Sequence, residues 1–343
     1  MKERPSTSSQ PQGTRVGVIF PGALGDFICF LPALCLLAER ARVDLFAQNQ
    51  FADIAPEGVM VRSLERPEIR KLFACGSRID QDLFDFFEVY QTVYSWLGSG
   101  NEHFVANLHA AASGRARLFP FRPATTWNHQ RDYYLSCVTP DAMTSSEPLI
   151  ELRDDVMEWR EKFWASHALD QHAVLAIAPG SGAREKNWPE DFFLSVVQWW
   201  RAATGGTTLL LAGPVENERG GIDRLRRTCL DAGALRLSQV AALLCRCTVY
   251  LGNDSGVSHL AASLGARTVA IFGPSDARQW APRGDQVTVV QRNVACSPCL
   301  VPTMKSCSHR ACLTELQPSE VIKVLGALPE IVTLTRSRSG ITV

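Results

Sequence analysis

The stretch Asn253-Asp254-Ser255-Gly256-Val257-Ser258-His259 puts a carboxylate, three polar side chains, a glycine and an imidazole into one short turn. It lies between the apolar segments Thr248–Leu251 and Arg267–Phe272, so it reads as the strand-to-helix turn of a βαβ unit. A helix N-terminus offers unpaired backbone N–H groups and a partial positive charge, which suits a phosphate or pyrophosphate. Gly256 would let the backbone approach such a ligand, and Asp254, Ser255 or Ser258 could cap the helix. His259 falls in the first helical turn, where a packed or capping imidazole is the commoner role than a catalyst. Taken alone, the turn fits a capped crossover that binds nothing equally well.

Four other groupings carry candidate chemistry. Asp26 follows Gly22-Ala23-Leu24-Gly25 and opens an apolar helix. It reads either as an acidic residue favoured by the helix dipole or as a general base. The loop Ser181-Gly182-Ala183-Arg184-Glu185-Lys186-Asn187-Trp188 holds a hydroxyl, a glycine and two cations, a set that can grip a phosphate through Ser181 and Lys186. Glu216 and Glu218 follow Gly213-Pro214, where a carboxylate can accept from ribose hydroxyls or simply face a helix dipole. Cys296, Cys299, Cys307 and Cys312 gather near the C-terminus; four thiolates could hold structural zinc, but the spacing is not that of a zinc ribbon. Four free thiols in a folded excursion at 296–312 is the simpler expectation. Asp80-Gln81-Asp82 has the D-x-D form of metal-dependent glycosyl transfer but sits in a segment that reads as solvated surface.

The elements that must position these residues follow an α/β pattern. Strand Arg15–Phe20, the Gly-rich turn, helix Phe27–Arg40 and strand Val43–Ala47 open the chain, with apolar segments at Gly58–Arg62, Val89–Ser95 and Phe104–Asn107 assigned to the same sheet. Later come strand Ala173–Ala178, helix Pro189–Ala203, strand Thr207–Ala212, helix Glu216–Ala232, strand Thr248–Leu251 and strand Thr268–Phe272. Each strand of this half ends in a Gly-bearing turn, the edge where open α/β sheets bind ligands. The expected boundaries are a disordered stretch at 1–14, one Rossmann-like domain at 15–145, a linker and bridging helix at 146–170, a second Rossmann-like domain at 171–330 and a tail at 331–343.

Composition narrows the class. The 35 basic and 35 acidic side chains balance, which argues against a general nucleic-acid binder. The longest apolar run, Ile28–Ala38, contains Pro32 and is too short for a membrane span. No apolar signal segment opens the sequence, so a cytoplasmic protein is expected. Gly22–Asp26 does not fit G-x-G-x-x-G, so a nicotinamide dehydrogenase is poorly supported.

In order along the chain, Gly22-Ala23-Leu24-Gly25-Asp26 with Leu31-Pro32-Ala33-Leu34, Pro179-Gly180-Ser181 with Lys186-Asn187-Trp188-Pro189, Gly213-Pro214 with Glu216 and Glu218, Asn253–Ala262 leading to Phe272-Gly273-Pro274-Ser275-Asp276, and the cysteine cluster resemble glycosyltransferase family 9, the heptosyltransferases of lipopolysaccharide core assembly. That resemblance implies a GT-B fold, two Rossmann-like domains whose parallel sheets face a central cleft. It implies an inverting transfer from a nucleotide sugar, usually ADP-heptose, without a catalytic metal, to a cell-envelope glycolipid at the cytoplasmic membrane face. Asp26 would be the general base. Ser181, Gly182, Lys186 and the amides of Ser255, Gly256, Val257 and Ser258 would hold the phosphates, with Gly25 and His259 lining the site. Asp254 would contact the sugar, and Glu216 or Glu218 the ribose. Members often carry a Thr pair where this chain has Ser181-Gly182, and Asp-Thr-Gly where it has Asp254-Ser255-Gly256. The acceptor half, Gly58 to Pro140, matches weakly; Arg115, Arg117, Arg122 and Arg131 could meet an anionic glycolipid or form a solvated basic face. A nucleotide-sugar epimerase of the same fold and a metal-stabilised binding module built on the cysteines are the alternatives.

Overall fold

A computed structural model of the 343-residue chain describes residues 13–75, 81–123, 129–139 and 150–338. The chain forms two α/β units, and residues 24–28 at the start of the first helix cluster with the second of them. The Pro140–Pro148 segment and the first twelve residues lie outside the described residues.

The first unit holds strands β1 (Arg15–Ile19), β2 (Arg42–Ala47), β3 (Val59–Ser63), β4 (Thr92–Ser95) and β5 (Ala116–Leu118) in one parallel sheet, ordered β3-β2-β1-β4-β5. β1 feeds helix α1 (Leu24–Ala38), whose Phe27, Phe30, Leu31 and Leu34 are all fully buried. A helix apolar on every side is a core helix. No described helix is long and apolar enough to cross a membrane. Phe20 stacks on Phe30 at 4.5 Å, fixing the turn between β1 and α1 from below.

Two expectations fail in this unit. Phe104–Asn107 is not a strand; it lies in helix Glu102–Ala111, capped by Asn101, whose side chain accepts from the Phe104 amide at 2.9 Å. Phe104, Leu108 and Ala111 are buried at helical spacing, which a four-residue apolar run could not reveal. The last strand comes instead from Ala116–Leu118, too short and polar to stand out.

The second unit orders β6 (Val174–Ala178), β7 (Thr207–Leu210), β8 (Leu230–Asp231), β9 (Val249–Asn253), β10 (Thr268–Phe272) and β11 (Val287–Gln291) as β11-β10-β9-β6-β7-β8, all parallel. Every residue of β6, β9 and β10 is buried, as strands covered on both faces must be. The helix Glu190–Thr204 buries Phe193, Val196, Val197, Trp200 and Thr204 on one face and ends at Gly205, whose φ of +66° no side chain adopts easily. Chain order reverses between β6 and β9, so the carboxyl ends of those two strands flank the switch point where such sheets bind ligands.

The single helix expected at Glu216–Ala232 is a correction. It is two short helices, Pro214–Arg219 and Asp223–Thr228, followed by β8. Gly220 and Gly221, at φ of +66° and +84°, break the helical run between them. β11 was not anticipated, and β9 runs on to Asn253 rather than stopping at Leu251.

Candidate active site

The turns after β6 and β9 are stapled together by Asn253. This side chain is fully buried, donates to the Pro179 carbonyl at 2.6 Å and accepts from the Trp188 amide at 3.0 Å. Trp188 is in turn fixed by its indole N–H, 2.9 Å from the Leu316 carbonyl. Sequence reasoning quoted Asn253 only as part of a motif. An amide in an otherwise apolar strand was the available signal, because a buried Asn must find several partners.

Ser255 caps the helix Gly256–Ser263, its hydroxyl accepting from the Ser258 amide at 3.4 Å. Ser258 is fully buried and bonds Tyr250 at 3.0 Å and the Asn253 carbonyl, so its hydroxyl serves the turn rather than a ligand. Among the described residues the Gly256 and Val257 amides have no acceptor within the chain. Those N–H groups, at the positive end of the helix, form the anion-binding feature of the turn.

The start of α1 lies directly on this turn. A Cβ at Gly256 would stand 2.7 Å from Leu24 Cβ and 2.9 Å from the Gly25 nitrogen, and one at Gly25 would stand 3.3 Å from the His259 ring. Asp26 is the next residue of α1, in its first turn, and is 9% exposed. The expected base and the expected phosphate turn therefore belong to one packed cluster. Gly256→Ala should lower stability by about 1–3 kcal/mol, because overpacking meets backbone here and not a flexible side-chain end. Gly182→Ala, whose Cβ meets nothing within 4 Å, should melt like the wild type in the same thermal scan.

Lys186 and Asp254 form an ion pair at 2.7 Å that sequence reasoning did not foresee. Asp254 is 7% exposed on its side chain and Lys186 26%, so the carboxylate depends on this ammonium for charge balance. The Ser181 hydroxyl lies 2.6 Å from the Ala183 carbonyl and 2.7 Å from Asn187 Oδ1, and so shapes its own loop. Gly182 beside it is exposed. Glu216 accepts from the Gly213 amide at 2.8 Å, and its carboxylate fills the space where a Cβ on Gly180 would collide with it. Glycine at 180 thus lets the turns after β6 and β7 meet. Glu218, on the same short helix, is exposed.

His259 is buried, with its pKa pushed down to about 4, first by burial and further by His129 and Lys186; Asp254 and the Trp280 backbone oppose the shift. It is therefore a neutral ring at pH 7. The unfolded chain takes up this proton near 6.5 while the native ring stays neutral down to about 4, so acidification between those values favours unfolding. The loss should amount to about 3 kcal/mol over that window. Urea midpoints at about pH 7 and about pH 4.5 should differ less in His259→Asn than in the wild type; equal acid sensitivity in both would refute the assignment.

Cys296, Cys299, Cys307 and Cys312 are free and line one small cavity of about 10 Å³ with His309 and Met304. Burial and the neighbouring sulfurs push the Cys312 thiol up to about 11, and burial raises Cys299 as well. Among the described residues no group of His, Cys, Asp or Glu has a metal-holding arrangement. Arg117 stacks over Tyr94 at 5.7 Å, Arg122 over Phe121 at 4.1 Å, and Arg115 donates to the Ala112 carbonyl at 3.0 Å. Arg131 lies in helix Gln130–Val138. Asp82 is exposed in helix Gln81–Glu88, and Asp80 is outside the described residues.

The sequence profile of glycosyltransferase family 9 (heptosyltransferase) matches residues 141–308, from ahead of β6 through the Asn253 turn to the cysteine cluster. Over these residues the sequence is that of glycosyltransferase family 9. It is 38% identical over 163 residues to lipooligosaccharide heptosyltransferase 2 of Campylobacter jejuni, a match covering 44% of this chain and 49% of that protein. It thus spans about half the length of that curated relative. A family 9 glycosyltransferase structure from Veillonella parvula superimposes with a TM-score of 0.71 at 19% identity, covering 96% of this chain and all of that one. The E. coli ADP-heptose LPS heptosyltransferase II structure gives a TM-score of 0.67 at 16% identity, covering 93% of this chain and 99% of that one. These likenesses give the fold class, GT-B, with a Rossmann-like sheet in each unit.

Proposed function

We propose that this chain is an inverting glycosyltransferase that moves heptose from ADP-heptose to a lipopolysaccharide-core or related cell-envelope glycolipid, with Asp26 as general base. The observation that supports the proposal is the close packing of Leu24 and Gly25, which precede Asp26, against Gly256, whose amide and that of Val257 have no acceptor among the described residues. The chain's likeness to the Campylobacter lipooligosaccharide heptosyltransferase 2 and the E. coli ADP-heptose LPS heptosyltransferase II supports the sugar and the donor.

In the proposed reaction the acceptor hydroxyl gives its proton to the Asp26 carboxylate as its oxygen bonds the anomeric carbon. Attack comes from the face opposite the diphosphate, so the configuration inverts. The bond between the anomeric carbon and the β-phosphate oxygen breaks, and its electron pair leaves with ADP. Negative charge grows on the phosphate oxygens at that moment, and preorganised donors lower the barrier most when they face it. The Gly256 and Val257 amides supply two such donors, and Lys186 supplies a charge held in place by Asp254 at 2.7 Å. Glu216, steadied by the Gly213 amide, is suited to accept from a ribose hydroxyl. A proton transfer and a substitution need no cofactor beyond the nucleotide sugar. A lipid-anchored acceptor would bring the protein to the cytoplasmic membrane face as a peripheral enzyme.

The test is the anomeric configuration of the product, read by NMR from a reaction of the full chain with ADP-heptose and a heptose-deficient core glycolipid. Inversion is expected, and retention would refute the mechanism. Conversion of the donor to an epimer without acceptor would make the protein an epimerase instead.

A further inference from the structure

A cavity of about 160 Å³ in the second unit lies beside the phosphate turns but shares little with them. Of the residues expected to hold a donor, only Glu216 lines it; Ser181, Lys186, Asp254 and Gly256 do not. Arg184, Arg219 and Arg310 line it, and among the described residues none of the three has a carboxylate partner. By contrast, the nearby Arg224 is committed to Glu190 and Asp191.

The two acids on the wall do not offset these charges freely. Glu190 is bound by Arg224 Nε at 3.1 Å and by the Arg224 and Leu225 amides at 2.9 and 3.1 Å. Glu216 is held by the Gly213 amide. Arg310 Nη1 reaches the Arg184 carbonyl at 3.4 Å, so the two arginine-bearing segments are already joined. Between the short helices Gly220 and Gly221 present bare backbone; a Cβ on either would meet nothing within 4 Å.

We propose that this cavity is a second anion site, which takes a phosphate monoester through Arg184, Arg219 and Arg310. Guanidinium groups match phosphate oxygens in geometry as well as charge. A phosphate group fits this volume, and the cavity's open side leaves room for an attached sugar. The site does not depend on the donor assignment, so the two can fail separately.

Isothermal titration of the full chain with inorganic phosphate and with glucose 6-phosphate, each with and without saturating ADP, tests it. Saturable binding that persists in the presence of ADP is expected. It should weaken roughly tenfold or more in Arg184→Gln and in Arg310→Gln, the loss typical of one charge-assisted contact. Both variants should stay folded and keep the wild-type ADP affinity, since neither side chain makes an ion pair and Arg310 gives up only one long, exposed hydrogen bond to the Arg184 carbonyl. Tighter binding of glucose 6-phosphate would identify a phosphorylated saccharide as the ligand, and equal binding free phosphate. Absence of saturation at millimolar concentrations, displacement by ADP, or unchanged affinity in both variants would overturn the proposal.

Discussion

Asp26→Asn should fold, bind ADP as the wild type does, and lose transfer by about two to four powers of ten. The amide matches the carboxylate in volume, so the packing of a residue 9% exposed in the first turn of α1 is preserved. What is lost is the ability to take the acceptor proton as the new bond forms. Nucleotide affinity should hold, because the proposed phosphate donors are the Gly256 and Val257 amides and Lys186. The competing role for Asp26 is a carboxylate that complements the helix dipole. That role predicts a stability loss of about 0.3–1 kcal/mol and near-normal transfer. Initial rates of ADP release with acceptor present, set beside calorimetric ADP affinity, separate the two. A rate near that of the wild type would remove Asp26 from the chemistry.

Lys186→Met is expected to damage two properties at once. Its ammonium is 2.7 Å from Asp254, whose side chain is 7% exposed, so the substitution leaves a nearly buried carboxylate without its partner. Breaking a fully buried pair costs about 3–5 kcal/mol; with Lys186 26% exposed, a loss of about 2 kcal/mol in unfolding free energy is the reasonable expectation. ADP affinity should also fall by roughly tenfold to a hundredfold, through loss of a charge-assisted phosphate contact. The double variant Lys186→Met with Asp254→Asn separates these effects. It should recover most of the stability, because no charge is left stranded, and none of the ADP affinity. Recovery of both would show that Lys186 only balances Asp254. Failure to recover stability would show that the pair is not what holds this part of the fold.

The sequence made the two sheets and the turns that end their strands legible, because parallel strands buried on both faces are continuous apolar runs with glycine at their ends. β6, β9 and β10 stand out for that reason. What escaped were short elements. β5 has three residues and β8 two, and neither carries enough apolar pattern to signal a strand. Gly220-Gly221 was visible in the sequence but was read through as helix, although two adjacent glycines in a helical stretch mark a break.

The site residues were legible by type and order but not by partner. Lys186 and Asp254 are 68 positions apart, and nothing local in either sequence neighbourhood announces the other. Ser181 was read as facing a ligand, whereas its hydroxyl is within reach of Ala183 and Asn187 in its own loop, a contact that depends on the loop's conformation. Gly180 and Asn253 carry their meaning only once the strands are adjacent. One must be small for Glu216 to pass, and the other must be an amide to join two turns.

The central claim is a sugar transfer that uses an adenosine diphosphate donor. The most direct measurement offers the full chain ADP-heptose, a UDP-sugar and a GDP-sugar in turn, with and without a heptose-deficient core glycolipid, and quantifies the nucleotide released. The account predicts ADP release from ADP-heptose alone among the donors, dependent on the glycolipid and matched by heptose appearing on it. Release of UDP or GDP in preference to ADP, or no glycolipid-dependent release at all, would contradict it.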